Sequence, residues 1–209
     1  MDKKYWEAFY QIQNEDLKPS LFAKTVRETY VKPTQSLIEL GCGNGRDAVF
    51  FANEGVIVTA IDQCENEIEF LKMRYQHLAN CIFHSNDFSS LNDFETPFDI
   101  VYSRFTLHSV SEAEEQRTLQ WAYKNLRAGG RLCIEVRGQK NEIYKFGEKV
   151  KGEADAYIYN NHYRRFLNFN ELCNLLVSLG FSLDFAIEEK GFAPFAGQNE
   201  TFIRIIAKK

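Results

Sequence analysis

The chain has 209 residues, 44% apolar and 26% charged, which suits one domain with a sizeable core and excludes a chain too polar to fold. Its formal net charge is −4, without any sustained run of Lys and Arg. That balance disfavours nucleic acid, whose phosphates need concentrated positive charge.

Taken in chain order, residues 5–30 read as two short helices broken at Pro19-Ser20, where Ser20 can cap the second. From Ser36 onward strands and helices alternate. Strands are expected at 36–40, 56–61, 81–84, 98–102 and 131–136, with helices at 46–53, 65–78 and 112–126 between them. Such alternation implies parallel pairing, with crossovers covering both faces of a sheet. Residues 138–167 interrupt the rhythm with a polar, Tyr- and Asn-rich stretch that reads as an insertion or lid. A helix at 168–179, ended by Gly180, and strands at 181–187 and 201–207 follow, this closing pair lying at the sheet edge.

Chemistry concentrates first at Leu37-Ile38-Glu39-Leu40-Gly41-Cys42-Gly43-Asn44-Gly45-Arg46-Asp47. An apolar strand enters three alternate glycines and then a helix. The glycines let the backbone turn sharply and a ligand approach it, and the helix start offers free N–H groups. The spacing differs from the Gly-x-Gly-x-x-Gly of dinucleotide folds, the third glycine arriving one residue early. Asp62 closes the second strand. With parallel pairing it lies beside the glycine loop, where a carboxylate can accept from both hydroxyls of a ribose. A ligand-free turn and a simple helix cap are the plain alternatives for each feature alone; together the two favour a nucleoside.

In this order, Glu39, Gly41-Cys42-Gly43-Asn44-Gly45 and Asp62 resemble the class I S-adenosylmethionine-dependent methyltransferases. Asn86-Asp87-Phe88 looks like the segment that family sets against adenine, and Leu126-Arg127-Ala128-Gly129-Gly130-Arg131-Leu132 like its turn before strand five. The resemblance covers roughly residues 37–136. It implies a Rossmann-like α/β fold: a seven-stranded, mostly parallel sheet, helices on both faces, the last strand antiparallel. It also implies S-adenosylmethionine as cofactor and S-adenosylhomocysteine as product. Glu39, Gly41, Cys42, Gly43, Asn44, Asp62, Gln63, Asp87 and Phe88 would bind it, with Ser103 and Arg104 near the methionine end. The fourth-strand region, Phe98 to His108, lacks the Asn/Asp-Pro-Pro-Tyr type of motif, which disfavours DNA-base or glutamine methylation.

A hydroxyl acceptor benefits from a base. His108 follows strand four at the end of the sheet where ligands gather, and His162 is its rival, though a lone His is more often structural. Arg137, Tyr163, Arg164 and Arg165, with Tyr5 and Tyr10 of the N-terminal aromatic group that includes Trp6 and Phe9, are the candidate acceptor contacts. Convergent arginines would hold a carboxylate or phosphate; the plain alternative is surface pairing with Glu135, Glu188 or Glu189.

The expected organisation is a single domain, 1–209, with 1–35 as a helical cover and 138–167 as a lid. Its function would be methyl transfer, at oxygen, to a small polar acceptor, anionic or sugar-linked. The subgroup resemblance is to bacterial enzymes of surface-polysaccharide biosynthesis or of tellurite-resistance type. A small-molecule N-methyltransferase, a catalytically silent binding module and a nicotinamide oxidoreductase stand as rivals. Cys42, Cys64, Cys81, Cys133 and Cys173 form no short pairs, and acidic and His residues show no ligand spacing, so no metal is expected. Without a signal peptide or an apolar run of spanning length, the chain is expected to be cytoplasmic, without a membrane partner, and a monomer or homodimer.

Overall fold

Ser20 opens the helix α1 (Leu21–Thr29), its hydroxyl accepting from the Ala23 N–H at 3.0 Å and so satisfying a donor that the helix start leaves free. Phe22, Ala23 and Val26 are buried on one side of it. The computed structural model describes residues 18–209; the earlier helix and Tyr5, Trp6, Phe9 and Tyr10 lie outside the described residues.

Five parallel strands follow: β1 (Ser36–Leu40), β2 (Ile57–Asp62), β3 (Cys81–Ser85), β4 (Phe98–Arg104) and β5 (Leu126–Val136). Helices α2 (Arg46–Asn53), α3 (Glu65–Arg74) and α4 (Glu112–Asn125) connect them. Short strands β6 (Glu148–Lys149), β7 (Ala156–Tyr159) and β8 (His162–Arg165) come next, then α5 (Phe169–Ser178), β9 (Ser182–Glu189) and β10 (Phe202–Lys208). The main sheet has seven strands in the order β3-β2-β1-β4-β5-β10-β9, with β10 antiparallel to both neighbours, as expected of the last strand. The order in which successive strands join the sheet switches sides between β1 and β4, which opens a crevice at their carboxyl ends.

Strand periodicity divides the interior in two. Ile38, Leu40, Val101, Ile134 and Ile205 face a core shared with α4 and α5. Leu37, Val58, Ala60, Ile100, Tyr102 and Cys133 face the other core, shared with α1, α2 and α3. Both faces are covered, so the strands read as nearly continuous apolar runs rather than alternating ones.

Two elements depart from expectation. β5 starts at Leu126, not at 131, because the chain passes through Gly129 at φ +78° and pairs with β4 on either side of a register shift. A Cβ on Gly130 would lie 3.0 Å from the Arg127 and Asp99 carbonyl oxygens, so the glycine pair permits a close backbone approach instead of ending the element. Residues 138–167, read from the sequence as an insertion or lid with no strands assigned, contain the three-stranded sheet β6-β7-β8. Asn160 and Asn161, at φ +53° and +56°, turn β7 into β8, and asparagine tolerates that left-handed geometry better than most residues.

The insertion is fastened at its base. Arg137 donates to Glu200 at 2.6 Å, Asn141 Nδ2 to the Thr201 carbonyl at 2.8 Å, and the Thr201 N–H to Glu142 at 2.7 Å. Among the described residues no helix is long and apolar enough to cross a membrane.

Candidate active site

The glycine loop leaves β1 at the crevice. Gly41, Gly43 and Gly45 all have positive φ (+70°, +53° and +72°), which glycine adopts without the Cβ conflict other residues meet. The Cys42 N–H donates to the Ile61 carbonyl at 2.9 Å, carrying the β1–β2 ladder into the loop and fixing the distance to Asp62. Asp62 Oδ2 accepts from the Gly43 N–H and Oδ1 from the Cys64 N–H, both at 2.9 Å. Each oxygen keeps a further lone pair, so the carboxylate can hold the loop and still receive two hydroxyls.

A Cβ on Gly41 would sit 2.3 Å from Thr106 Cγ2. Thr106 reaches that point because Phe105, at φ +59°, turns the chain sharply after β4. Gly41→Ala is therefore expected to cost about 2–4 kcal/mol, read as a fall in the urea midpoint. Adding Thr106→Ser, which removes the offending methyl, should recover part of that loss.

At the end of β1 lies Glu39, buried, with Oε2 having no hydrogen-bond partner among the described residues. Burial, then the negative charge of Asp47, raises its carboxyl well above the usual carboxylate range, against Arg46 and Arg104, which lower it. Gln63, next to Asp62, likewise has a buried and unpartnered Nε2. Polar atoms held in this way against glycine backbone fit a polar ligand that completes them. Cys42 is buried, and burial pushes its thiol up, so it lines the loop as a neutral group. Asn44 lies half-buried in the same loop.

Asp87 caps the turn Phe88–Ser90 through Oδ1, which accepts from the Ser89 N–H and hydroxyl, both at 2.8 Å; Phe88 beneath it is buried. Ser103 and Thr106 share a hydroxyl–hydroxyl bond of 2.5 Å. Arg104 Nε donates to Glu135 Oε1 at 2.9 Å, while Arg204 binds Oε2 through Nε and Nη2 at 3.0 and 2.6 Å. Phe105 lies 4.0 Å from the Arg104 guanidinium, and Phe192 4.1 Å from that of Arg204. Glu135 is not a surface partner, the plain alternative that the sequence offers, but is buried between two guanidinium groups.

His108 and His162 are both buried and close enough to influence one another, with β8 packed against the Leu107–Ser109 turn. Burial, then the positive charges of Arg137, His162, Arg164 and Arg165, depresses His108 well below the ordinary imidazole value. Its Nδ1 has no hydrogen-bond partner among the described residues. Arg137 also donates to Asn141 at 2.8 Å, Tyr163 Oη to Glu153 at 2.5 Å, and Arg164 to the Tyr159 carbonyl at 3.1 Å. Arg165 binds the Val110 carbonyl at 3.2 Å and pairs with buried Glu115, so its guanidinium joins the insertion to α4. No group of three potential metal ligands occurs among the described residues.

Three contributors escape sequence reasoning. Asp47, on the first turn of α2, accepts from the Ser20 N–H and hydroxyl, each at 2.7 Å, and from Tyr102 Oη at 2.9 Å. An acid at a helix start is readable from sequence as a dipole partner. Its distant partners, and the partners of Glu135 and Glu115, leave no local signal.

A family model described as a methyltransferase domain matches residues 37–130. A protein of Geobacillus sp. (strain WCH70) that carries a methyltransferase name is 26% identical over 160 residues, covering 74% of this chain and 64% of that one. Phosphoethanolamine N-methyltransferase 1 of Arabidopsis thaliana is 30% identical over 131 residues, covering 60% of this chain and 26% of the plant protein. The chain thus spans less than two thirds of the length of either relative. The fold is similar to that of a Burkholderia thailandensis 1,6-didemethyltoxoflavin-N1-methyltransferase crystallised with 1,6-didemethyltoxoflavin and S-adenosylhomocysteine. That likeness has a TM-score of 0.74 at 20% identity and covers 99% of this chain and 86% of that one. The matched segment holds the glycine loop, Asp62 and Asp87, in a sheet whose strand order brings them to one crevice, and over residues 37–130 the chain is similar to a methyltransferase domain.

Proposed function

We propose that the chain transfers a methyl group from S-adenosylmethionine to oxygen on a small, polar, negatively charged acceptor. The observation that carries this reading is His108, buried beside His162 near the arginines of the insertion, its imidazole held below the ordinary value by burial and then by cationic neighbours. When bound, the cofactor supplies an electrophilic methyl group on its sulfonium. Asp62 accepts the ribose hydroxyls, Asp87 and Phe88 take the adenine side, and Ser103 and Arg104 lie toward the methionine end. Gly41, Gly43 and Asn44 form the floor beneath it.

Methyl displacement is in line, so the protein mainly aligns the reactants and excludes water. Residues 138–167 serve as a wall of the acceptor site, fastened through Arg137 and Arg165 and carrying His162, Tyr163 and Arg164 to the crevice. His108, neutral at pH 7, takes the acceptor's proton. The surrounding arginine charge favours an anion, and an anion bound there would offset that charge and strengthen His108 as a base. A sugar-linked phosphate or a hydroxy acid has this character.

Nitrogen as the attacking atom is the second reading, favoured by the names of the Arabidopsis and Burkholderia relatives. Against it, an ammonium acceptor would meet the same cationic surroundings. Incubation with S-adenosylmethionine and a panel of small hydroxy acids, sugar phosphates and amines, read by product mass and fragmentation, separates the two. Methylation of amines alone would overturn the oxygen reading.

His108→Gln is expected to lower kcat about 100-fold or more with an unchanged S-adenosylhomocysteine dissociation constant. Because the folded His108 is depressed, the wild-type rate should stay level through neutral pH. It should decline only in acid, as pH falls through the depressed value and the imidazole gains its proton.

A further inference from the structure

Glu39, near the end of β1, is more than nine-tenths buried, and its Oε2 has no partner among the described residues. The charged groups acting on it are Asp47 and Arg46 from α2, Arg104 from β4 and Asp62 from β2, and the titratable groups Cys42 of the loop, Cys81 of β3 and Tyr102 of β4 also face it. Two acids thus face two arginines, but Arg104 is directed to Glu135, and Asp47 binds Ser20 and Tyr102. A buried carboxyl with one oxygen left without a donor favours keeping its proton until a cation arrives.

We propose that Glu39 carries a proton in the free protein and releases it to solvent when the ammonium of the cofactor's amino-acid end arrives, so that cofactor binding is coupled to deprotonation at this position. This rests on the cofactor reading above. The ammonium stays protonated, the Glu39 O–H bond breaks heterolytically, and the proton passes to the buffer, leaving an ion pair in the crevice. The raised ionisation of the buried carboxyl agrees with this direction. Coupling of this kind gives affinity that rises with pH, by about tenfold per unit, while free Glu39 is protonated, and then levels off.

The test is calorimetric titration of the whole chain with S-adenosylhomocysteine at one pH in two buffers of different ionisation enthalpy. About one proton released per ligand is expected for the wild type, and none for Glu39→Gln, which keeps the side chain's shape. 5′-Methylthioadenosine, which lacks the amino-acid end, should bind without release. A wild type that binds S-adenosylhomocysteine with no buffer dependence, or a Glu39→Gln variant that still releases the proton, overturns the coupling and leaves the cofactor reading intact. Absence of any binding heat overturns both.

Discussion

Asp62→Ala is expected to weaken S-adenosylhomocysteine binding by about 100-fold or more in a calorimetric titration. Each hydrogen bond from a ribose hydroxyl to a carboxylate is worth roughly 1.5–3 kcal/mol, and losing two exceeds the ~2.7 kcal/mol that corresponds to a hundredfold. The structure adds a second effect. Asp62 also receives the Gly43 and Cys64 N–H groups, so the variant leaves two loop donors without an acceptor. Stability should fall as well, by about 1–2 kcal/mol, with the sheet still formed. Asp62→Asn keeps the shape but turns an amide N–H₂ toward one of those donors, so its affinity should also drop. Either variant binding like the wild type would remove Asp62 from the ribose.

Glu135→Gln is expected to be the most destabilising single substitution of a charged residue. Glu135 is buried between Arg104 and Arg204, and both of its oxygens are occupied by guanidinium N–H groups. Removing the negative charge leaves two confined cations without compensation, at a cost of about 3–5 kcal/mol. In a chain of this size that lowers Tm by roughly 10 °C. Arg204→Met in the same background removes one stranded cation and should restore part of the loss, so the double variant should be more stable than additivity allows. A Tm for Glu135→Gln within about 2 °C of wild type would show that the buried charge triad contributes little.

The site's frame was readable from sequence because its signals are local. Three alternate glycines between an apolar strand and a helix demand positive φ, and the structure has it at all three. Asp62 ends its strand, and parallel register alone brings it to the loop. The closing pair reads from the sequence as an edge pair with the last strand antiparallel, and β10 lies antiparallel to both β5 and β9 at that edge.

What was not readable depends on distance. Gly129-Gly130 gave the same local signal whether it ended an element or let two backbones approach; only the register with β4 decides. Asn160-Asn161 carries a legible hairpin signal, but its polar, Tyr- and Asn-rich surroundings read as an insertion or lid and do not announce β7 and β8. Arg165 and Arg164 adjoin in sequence yet differ in role, since strand alternation sends Arg165 inward to Glu115 and leaves Arg164 half-buried. Asp47 meets Ser20 across 27 positions, a pairing no periodicity encodes.

The central claim is that the glycine loop and Asp62 form a crevice for an adenosyl sulfonium or its thioether product. Titration of the unmodified chain with S-adenosylhomocysteine, followed by NAD in a separate run, tests it most directly. Saturable binding of the first and no heat from the second is the predicted result. Binding of NAD in its place, or no binding of S-adenosylhomocysteine at any concentration reached, would contradict the account.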